Sequence, residues 1–170
     1  MKPIQLIEFL STNSDLTKVL NDDDIIALVP HLGIETIPAD TILRKEGEPE
    51  CSLLIVVSGE IRLSHDGTEI DKLHPGQTFG EGAFSEDGTS FEQATATMDS
   101  VVARLGLKHF EDFFQHNATA AQKLKQHFKN LHLKRLHEVE GISFTDERRF
   151  LALVAHNEMK PSLMEFAKNH

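Results

Sequence analysis

The stretch Leu73-His74-Pro75-Gly76-Gln77-Thr78-Phe79-Gly80-Glu81-Gly82-Ala83-Phe84 contains, near its end, two glycines that flank an acidic residue. A glycine turn that opens into a short helix presents unpaired backbone N–H groups, and the peptide dipoles make such a place receptive to an anion. Yet the 31 residues from Leu73 to Ala103 include no lysine or arginine. A buried anion is stabilised only when an opposite charge is close to it. The turn therefore predicts a phosphate cradle whose own stretch of sequence supplies no cation.

Acidic residues surround the turn instead, and the whole chain shows the same excess. The acidic neighbours of the turn are Glu81, Glu86, Asp87, Glu92 and Asp99. The chain of 170 residues has a formal net charge of −10. A surface that neutralises nucleic-acid phosphates needs clustered Lys and Arg, so we expect no nucleic-acid partner. The length favours one main domain with an appendage.

Outward from the turn, short stretches rich in β-branched residues are separated by glycines and prolines every eight to twelve residues. This spacing is typical of an antiparallel sandwich or barrel. Ser58-Gly59 and Asp66-Gly67 are interpreted as hairpin turns. The predicted strands are Ile34–Ile37, Thr41–Arg44, Ser52–Ser58, Glu60–Ser64, Glu69–Leu73, Glu92–Met98 and Ser100–Leu105.

Helical patterns precede and follow the strands. The apolar residues between Ile4 and Leu20 predict a first helical segment, and Asp22-Asp23-Asp24 predicts an acidic N-cap for a second. The second helix is expected to end near Pro30. After the strands, the pattern predicts helices over His109–His116 and Thr119–Val139, then one that begins at Thr145 and a short one that begins at Pro161.

Three spaced motifs occur in one order. They are Ile37-Pro38-Ala39-Asp40-Thr41-Ile42-Leu43-Arg44-Lys45-Glu46-Gly47-Glu48, Leu54-Ile55-Val56-Val57-Ser58-Gly59-Glu60-Ile61 and Leu73 to Glu81. Together these runs resemble the cyclic nucleotide-binding domain family, of the catabolite activator and Fnr type. Three ordered motifs are far more specific than a lone glycine pattern. The resemblance implies a mainly β fold with flanking helices, a double-stranded β-helix (jelly-roll) sandwich. The expected divisions are N-terminal helices (1–33), a β-roll core (34–107), a hinge and long helix (108–141) and a C-terminal helical cap (142–170).

The resemblance also assigns a ligand-binding cassette. Phe79, Gly80, Glu81, Gly82 and Ala83 match its glycine turn and short helix, in which the glutamate bonds the ribose hydroxyl. The family's phosphate-binding arginine follows about ten residues later. In this chain Ser90 stands at that position, and shifting the alignment brings only Phe91 or Glu92 there.

The missing arginine decides the expected affinity. Loss of a bidentate guanidinium–phosphate contact from a desolvated site typically costs on the order of 2–5 kcal/mol. Gly82 also stands where a bulkier apolar residue is usual, which weakens the short helix. We therefore expect no cofactor, and cyclic AMP or cyclic GMP would bind only if a cation came from elsewhere. Arg135, on the long helix, is the candidate for that cation, and Phe91 is a candidate to fill the cavity itself.

Other chemistry finds little support in the sequence. His127, His132 and His137 are five residues apart and so do not share a helix face, and no zinc pattern or hydrolase motif is present. The single cysteine, Cys51, fits a reducing compartment, and no segment is apolar enough for a bilayer. These features predict a cytoplasmic protein with no metal site, no catalytic residues and no membrane partner. Residues 142–170 are too few and too evenly charged for a DNA-binding domain.

These observations leave three functional hypotheses. The first is a non-enzymatic regulatory module, degenerate for cyclic AMP and cyclic GMP, that acts through an unknown protein partner. In this hypothesis the chain forms a homodimer through the Thr119–Val139 helix, although burial of the helix's apolar stripe inside the monomer is the alternative. The second is a genuine sensor of a cyclic nucleotide or another anionic small molecule. The third is a cupin-like barrel enzyme.

Overall fold

A computed structural model describes residues 1–84 and 88–140 of the chain. The chain divides into two compact units, Met1–Lys134 and Arg135–His170. All of the described strands and helices belong to the first unit, except for the end of the last helix. The expected C-terminal cap over 142–170, together with Glu86 and Asp87 beside the cassette, lies outside the described residues.

Helices flank a run of eight strands. The helices are α1 (Pro3–Asn13), α2 (Asp22–Leu28), α3 (Leu107–His116) and α4 (Ala118–Glu140). The strands are β1 (Gly33–Ile37), β2 (Ile42–Arg44), β3 (Ser52–Ser58), β4 (Ile61–His65), β5 (Thr68–Leu73), β6 (Thr78–Phe79), β7 (Gln93–Ala96) and β8 (Ser100–Gly106). Short 3-10 turns cover Asp15–Lys18, Val29–His31 and Glu81–Phe84.

The strands form two antiparallel sheets of four. One sheet has the order β1-β8-β3-β6 and the other β2-β7-β4-β5. This mainly β sandwich with flanking helices confirms the expected fold class, and a jelly roll fits it. The register of β3 on β8, which includes Ile55 opposite Ala103, places the apolar residues of both strands side by side.

Strand β3 of the first sheet is buried on both faces, and alternate residues of a strand point to opposite sides. Along β3, Leu54 and Val56 belong to the core between the sheets, whereas Leu53 and Ile55 pack into a second core with the helices. A strand covered on both faces reads as an unbroken apolar run. The helical core also takes in Ala120, Ala121, Leu124 and Phe128 of α4.

One predicted hairpin turn and the extent of the first predicted helix were wrong. Strands β3 and β4 lie in different sheets, so Ser58-Gly59 is a crossing between sheets and not a hairpin turn. Asp66-Gly67 does close the β4–β5 hairpin, with φ values of 48° and 74°. The first helical segment breaks at Ser14, whose hydroxyl accepts a hydrogen bond from the Leu16 N–H at 3.1 Å.

The cap of α2 also differs from the expected one. Asn21 is the N-cap residue, and its Oδ1 accepts from the N–H of Asp24 at 2.8 Å. The three aspartates form the first turn of the helix, where the positive end of the helix dipole stabilises their negative charge. The helix stops at Leu28, and a 3-10 turn carries the chain to His31.

Candidate functional site

The cassette is anchored at both ends by phenylalanines. Phe79, at the end of β6, pairs with Leu54 of β3 and is fully buried in the core between the sheets. Phe84 ends the 3-10 turn Glu81–Phe84 and packs against Phe110 and Phe128 at ring-centroid distances of 4.8 and 5.3 Å. The turn between these anchors is therefore fixed to the sheet on one side and to α3 and α4 on the other.

Gly80 gives the cassette its shape, and an arginine from the other sheet lies against it. Gly80 has a φ of +85°, which side chains other than glycine rarely adopt. A Cβ there would lie 2.5 Å from the carbonyl oxygen of Ser52 and 2.6 Å from Nη1 of Arg44. Arg44 is the last residue of β2 and is only 7% exposed. The structure thus brings a guanidinium to the cassette that sequence analysis did not assign to it.

A carboxylate lies against the second glycine. Any side chain at Gly82 would overlap Oε2 of Glu50. Oε1 of Glu50 accepts a hydrogen bond from Nη1 of Arg44 at 2.6 Å, and Nη2 of Arg44 donates to the Ser52 carbonyl at 3.0 Å. Both side chains of this ion pair are buried. Within residues 1–84 and 88–140, Oε2 of Glu50 has no hydrogen-bond partner.

The backbone holds Glu50 in this place. The N–H of Glu50 donates to the Gly88 carbonyl at 2.6 Å, and the N–H of Gly47 donates to the Ser90 carbonyl at 2.7 Å. The N–H of Ser90 in turn donates to the carbonyl of Glu48 at 2.9 Å. These hydrogen bonds join the β2–β3 loop to the segment that follows the cassette. The loop thereby places the Glu50 carboxylate next to Gly82.

The predicted site residues occupy different surroundings. Glu81 and Ser90 are both buried, and the Ser90 hydroxyl donates to the carbonyl of Glu92 at 2.7 Å. Phe91 is half-buried, and its ring lies 5.4 Å from the ring of His132 on α4 and 6.3 Å from that of His65. Arg135 lies on α4 in the second unit and is 7% exposed.

Sequence reasoning missed Arg44 and Glu50. A buried arginine at the end of an amphipathic strand gives no local signal, because its burial depends on a partner six residues away. The available signal was Gly82: a position that lacks its usual bulky side chain indicates that another group fills the space. The carboxylate of Glu50 is that group.

One cluster of metal-ligating residue types lies among the described residues. Glu46, His65 and Asp66 offer ligand atoms within 4.8 Å of one another. Nδ1 of His65 is 2.6 Å from the carbonyl oxygen of Phe91 and 3.0 Å from Oε1 of Glu46. Nδ1 of His65 thus contacts both the β2–β3 loop and the segment after the cassette. The cluster therefore links the end of β4 to these two segments. None of the described helices is long and apolar enough to cross a membrane.

Comparison with known proteins relates part of this chain to a known family. Residues 34–117 match the family model of the cyclic nucleotide-binding domain. No curated protein is similar enough in sequence to count as a match. The regulatory domain of Toxoplasma gondii PKA, co-crystallised with cAMP, is 29% identical, with a TM-score of 0.57 over 65% of this chain and 44% of that one.

Two further solved structures share the fold at lower identity. A cyclic nucleotide-binding-like protein from Brucella abortus is 24% identical, with a TM-score of 0.56 over 65% of this chain and 98% of that one. The regulatory subunit of a cAMP-independent protein kinase A from Trypanosoma brucei is 18% identical, with a TM-score of 0.63 over 75% of this chain and 46% of that one. The chain thus spans less than half of either kinase-subunit structure.

Proposed function

We propose that the cyclic nucleotide-binding-like domain, which this chain carries at residues 34–117, serves a non-enzymatic regulatory module. In this proposal the domain does not bind cyclic AMP or cyclic GMP in the way usual for the family. The chain acts through contacts with another protein, in the cytoplasm, without a nucleic-acid or membrane partner.

The buried carboxylate of Glu50 carries the proposal. It lies against Gly82, within the turn to which a cyclic phosphate would bring its own negative charge. Two like charges about 4 Å apart repel by on the order of 4 kcal/mol at the effective dielectric of a protein surface. Arg44, the cation that lies against Gly80, is already paired with that same carboxylate. A relative of the same fold, the Trypanosoma brucei subunit, is described as belonging to a cAMP-independent kinase.

Calorimetric titration of cyclic AMP and cyclic GMP into the purified protein tests this function. We expect no binding by the unmodified protein. Ser90→Arg, which restores a guanidinium at the position that the resemblance assigns to it, is titrated in parallel after circular dichroism has shown that it folds. A gain of binding in this variant would support the position as that of the lost arginine. Micromolar binding by the unmodified protein would overturn the proposal.

A genuine sensor is the second candidate function, and the guanidinium of Arg44 beside Gly80 favours it. The sensor hypothesis needs one cation at the cassette, and Arg44 and Arg135 are the two candidates. Binding that falls with salt and disappears in Arg135→Ala would assign the role to Arg135, whereas loss in Arg44→Gln alone would assign it to Arg44. A cupin-like enzyme, the third hypothesis, requires a stoichiometric metal, so metal analysis of the purified protein decides it.

We also propose a homodimer through the Thr119–Val139 helix. The helix has an apolar stripe, but Ala121, Leu124 and Phe128 of that stripe are fully buried in the chain's own core. Leu131 and Leu136 are only half-buried, so they are the residues left for a partner helix. Light scattering over a range of concentrations tests the dimer, and a constant mass near 19.1 kDa would remove it.

A further inference from the structure

We propose that Arg44 is the anion-binding residue of the cassette and that Glu50 occupies it as an internal competitor. A ligand that bears a phosphate monoester or a cyclic phosphate would bind by taking the place of the Glu50 carboxylate on Arg44. The inference rests on the proposed function, because it assigns to Glu50 the block on cyclic-nucleotide binding and to displacement of Glu50 the opening of the site.

Arg44 has the position that an anion-binding residue needs. Its Nη1 and Nη2 would lie 2.6 and 3.0 Å from a Cβ at residue 80, so the guanidinium is in contact with the glycine that opens the turn. Nη2 is held by the Ser52 carbonyl at 3.0 Å, which fixes the plane of the group. A planar guanidinium suits bidentate binding of a phosphate better than an ammonium group does. The cation thus comes from β2 and not from the stretch that follows the glycine turn.

Glu50 is a poorly satisfied partner for this arginine. Only one of its two carboxylate oxygens, Oε1, is hydrogen-bonded, and Oε2 is buried without a partner within the described part of the chain. A buried acceptor that lacks a hydrogen bond raises the free energy of the state that contains it. A phosphate offers more acceptor oxygens to the same surroundings than this carboxylate uses. Replacement of the Glu50 carboxylate by a phosphate would therefore gain hydrogen bonds in addition to replacing the present ion pair with Arg44.

The loop that carries Glu50 can release it to solvent. Glu50 is the single buried residue between Lys45 and Cys51, and every other residue of that run is exposed. The side chain can therefore rotate outward without uncovering an apolar core. The backbone hydrogen bonds from Gly47 and Glu50 to residues 88–90 need not break for this rotation.

Glu50→Gln tests the inference directly. The variant keeps the size of the side chain and removes its charge, so Arg44 is left without a counterion. Inorganic phosphate and cyclic AMP serve as probes, with affinity measured by calorimetry and by the rise in melting temperature. We expect the variant to bind cyclic AMP at least tenfold more tightly than the unmodified protein, and Arg44→Gln added to it should abolish the gain. A folded Glu50→Gln protein with unchanged affinity for both probes would overturn the inference.

Gly82→Ala provides a second route should Glu50→Gln fail to fold. Its added Cβ would overlap Oε2 of Glu50 and so displace the carboxylate while it leaves every charge in place. We expect the same gain in phosphate binding, and a folded variant without that gain would contradict the inference. Glu48→Gln is the matched control, since it makes the same charge change at an exposed residue of the same loop. An equal gain in the control would assign the effect to net charge and overturn the inference.

The two proposals fail separately. Tight binding of cyclic AMP by the unmodified protein would refute the proposed function, whatever the variants do. The difference between the unmodified protein and Glu50→Gln decides the role of the carboxylate alone.

Discussion

The guanidinium of Arg104 binds the carboxylate of Glu35 through two parallel hydrogen bonds, from Nε to Oε1 at 2.6 Å and from Nη2 to Oε2 at 2.9 Å. The two residues are 69 positions apart in sequence and lie on adjacent strands, β8 and β1. Nη1 of Arg104 donates to the hydroxyl of Ser52 on β3 at 2.7 Å. One side chain therefore links three neighbouring strands of the first sheet.

Replacing this arginine should weaken the sheet. Arg104→Lys keeps the charge but cannot form the two parallel hydrogen bonds. Because the side chains are 34% and 39% exposed, the expected loss in the free energy of unfolding is only about 1 kcal/mol. Urea denaturation measures it. Lys72→Met, which removes a more exposed pair with Glu69 at 3.7 Å, is the control and should change stability by less than about 0.5 kcal/mol. Equal effects in both variants would contradict this account.

The same pair predicts a dependence on acid. The hydrogen bond from Arg104 holds the pKa of Glu35 below its usual range. The native state therefore binds fewer protons than the unfolded state between these two pKa values, and stability falls as pH falls. The contribution should be complete above pH about 4.3 and be lost as the pH drops through the lower native value. Denaturation at a series of pH values should show a smaller acid loss in Glu35→Gln than in the unmodified protein.

Glycine substitutions separate backbone strain from steric overlap. Gly67→Ala places a side chain at a φ of +74° with nothing within 4 Å, so only strain of about 1–2 kcal/mol is expected. Gly80→Ala adds an approach of 2.5 Å to the Ser52 carbonyl, which cannot rotate away, and should cost more. Gly33→Ala, with open space and no positive φ, is the neutral control. A Gly80→Ala protein as stable as Gly67→Ala would show that the backbone around residue 80 moves without a loss in the free energy of unfolding, which contradicts this account.

His127 predicts a second dependence on pH, closer to neutrality. Burial lowers the pKa of this histidine on α4, and the charge of Lys18 lowers it further while Asp15 opposes them. The unfolded state therefore takes up a proton first, and stability should decline as pH falls below about 6.5. His127→Gln should flatten this decline in thermal melts. His116→Gln, at an exposed position of α3, should leave the decline unchanged.

Most of the fold could be predicted because its signals are local. Turn residues and β-branched runs placed seven of the eight described strands within a few residues. Strand β6 was missed because its two residues, Thr78 and Phe79, carry no periodicity and are set by pairing with β3. Ser58-Gly59 was misread because a glycine turn looks the same whether the chain reverses in one sheet or crosses to the other.

The candidate site was less accessible to prediction because its charges come from separate segments. The cassette was predicted from its glycines, and its stretch of sequence contains no lysine or arginine. Arg44 and Glu50 were not found, because their burial is a property of the pair and of two glycines about thirty positions away. Neither residue has a reason to be buried without the other.

The contact of two glycines with one ion pair limits the order in which this chain can change over generations. A larger residue at position 82 displaces the Glu50 carboxylate from Arg44, and a shorter residue at 50 leaves Arg44 unneutralised. A descendant that lost Glu50 first would pass through a form with a bare arginine in its cassette. That intermediate is the one in which a phosphate ligand would be gained.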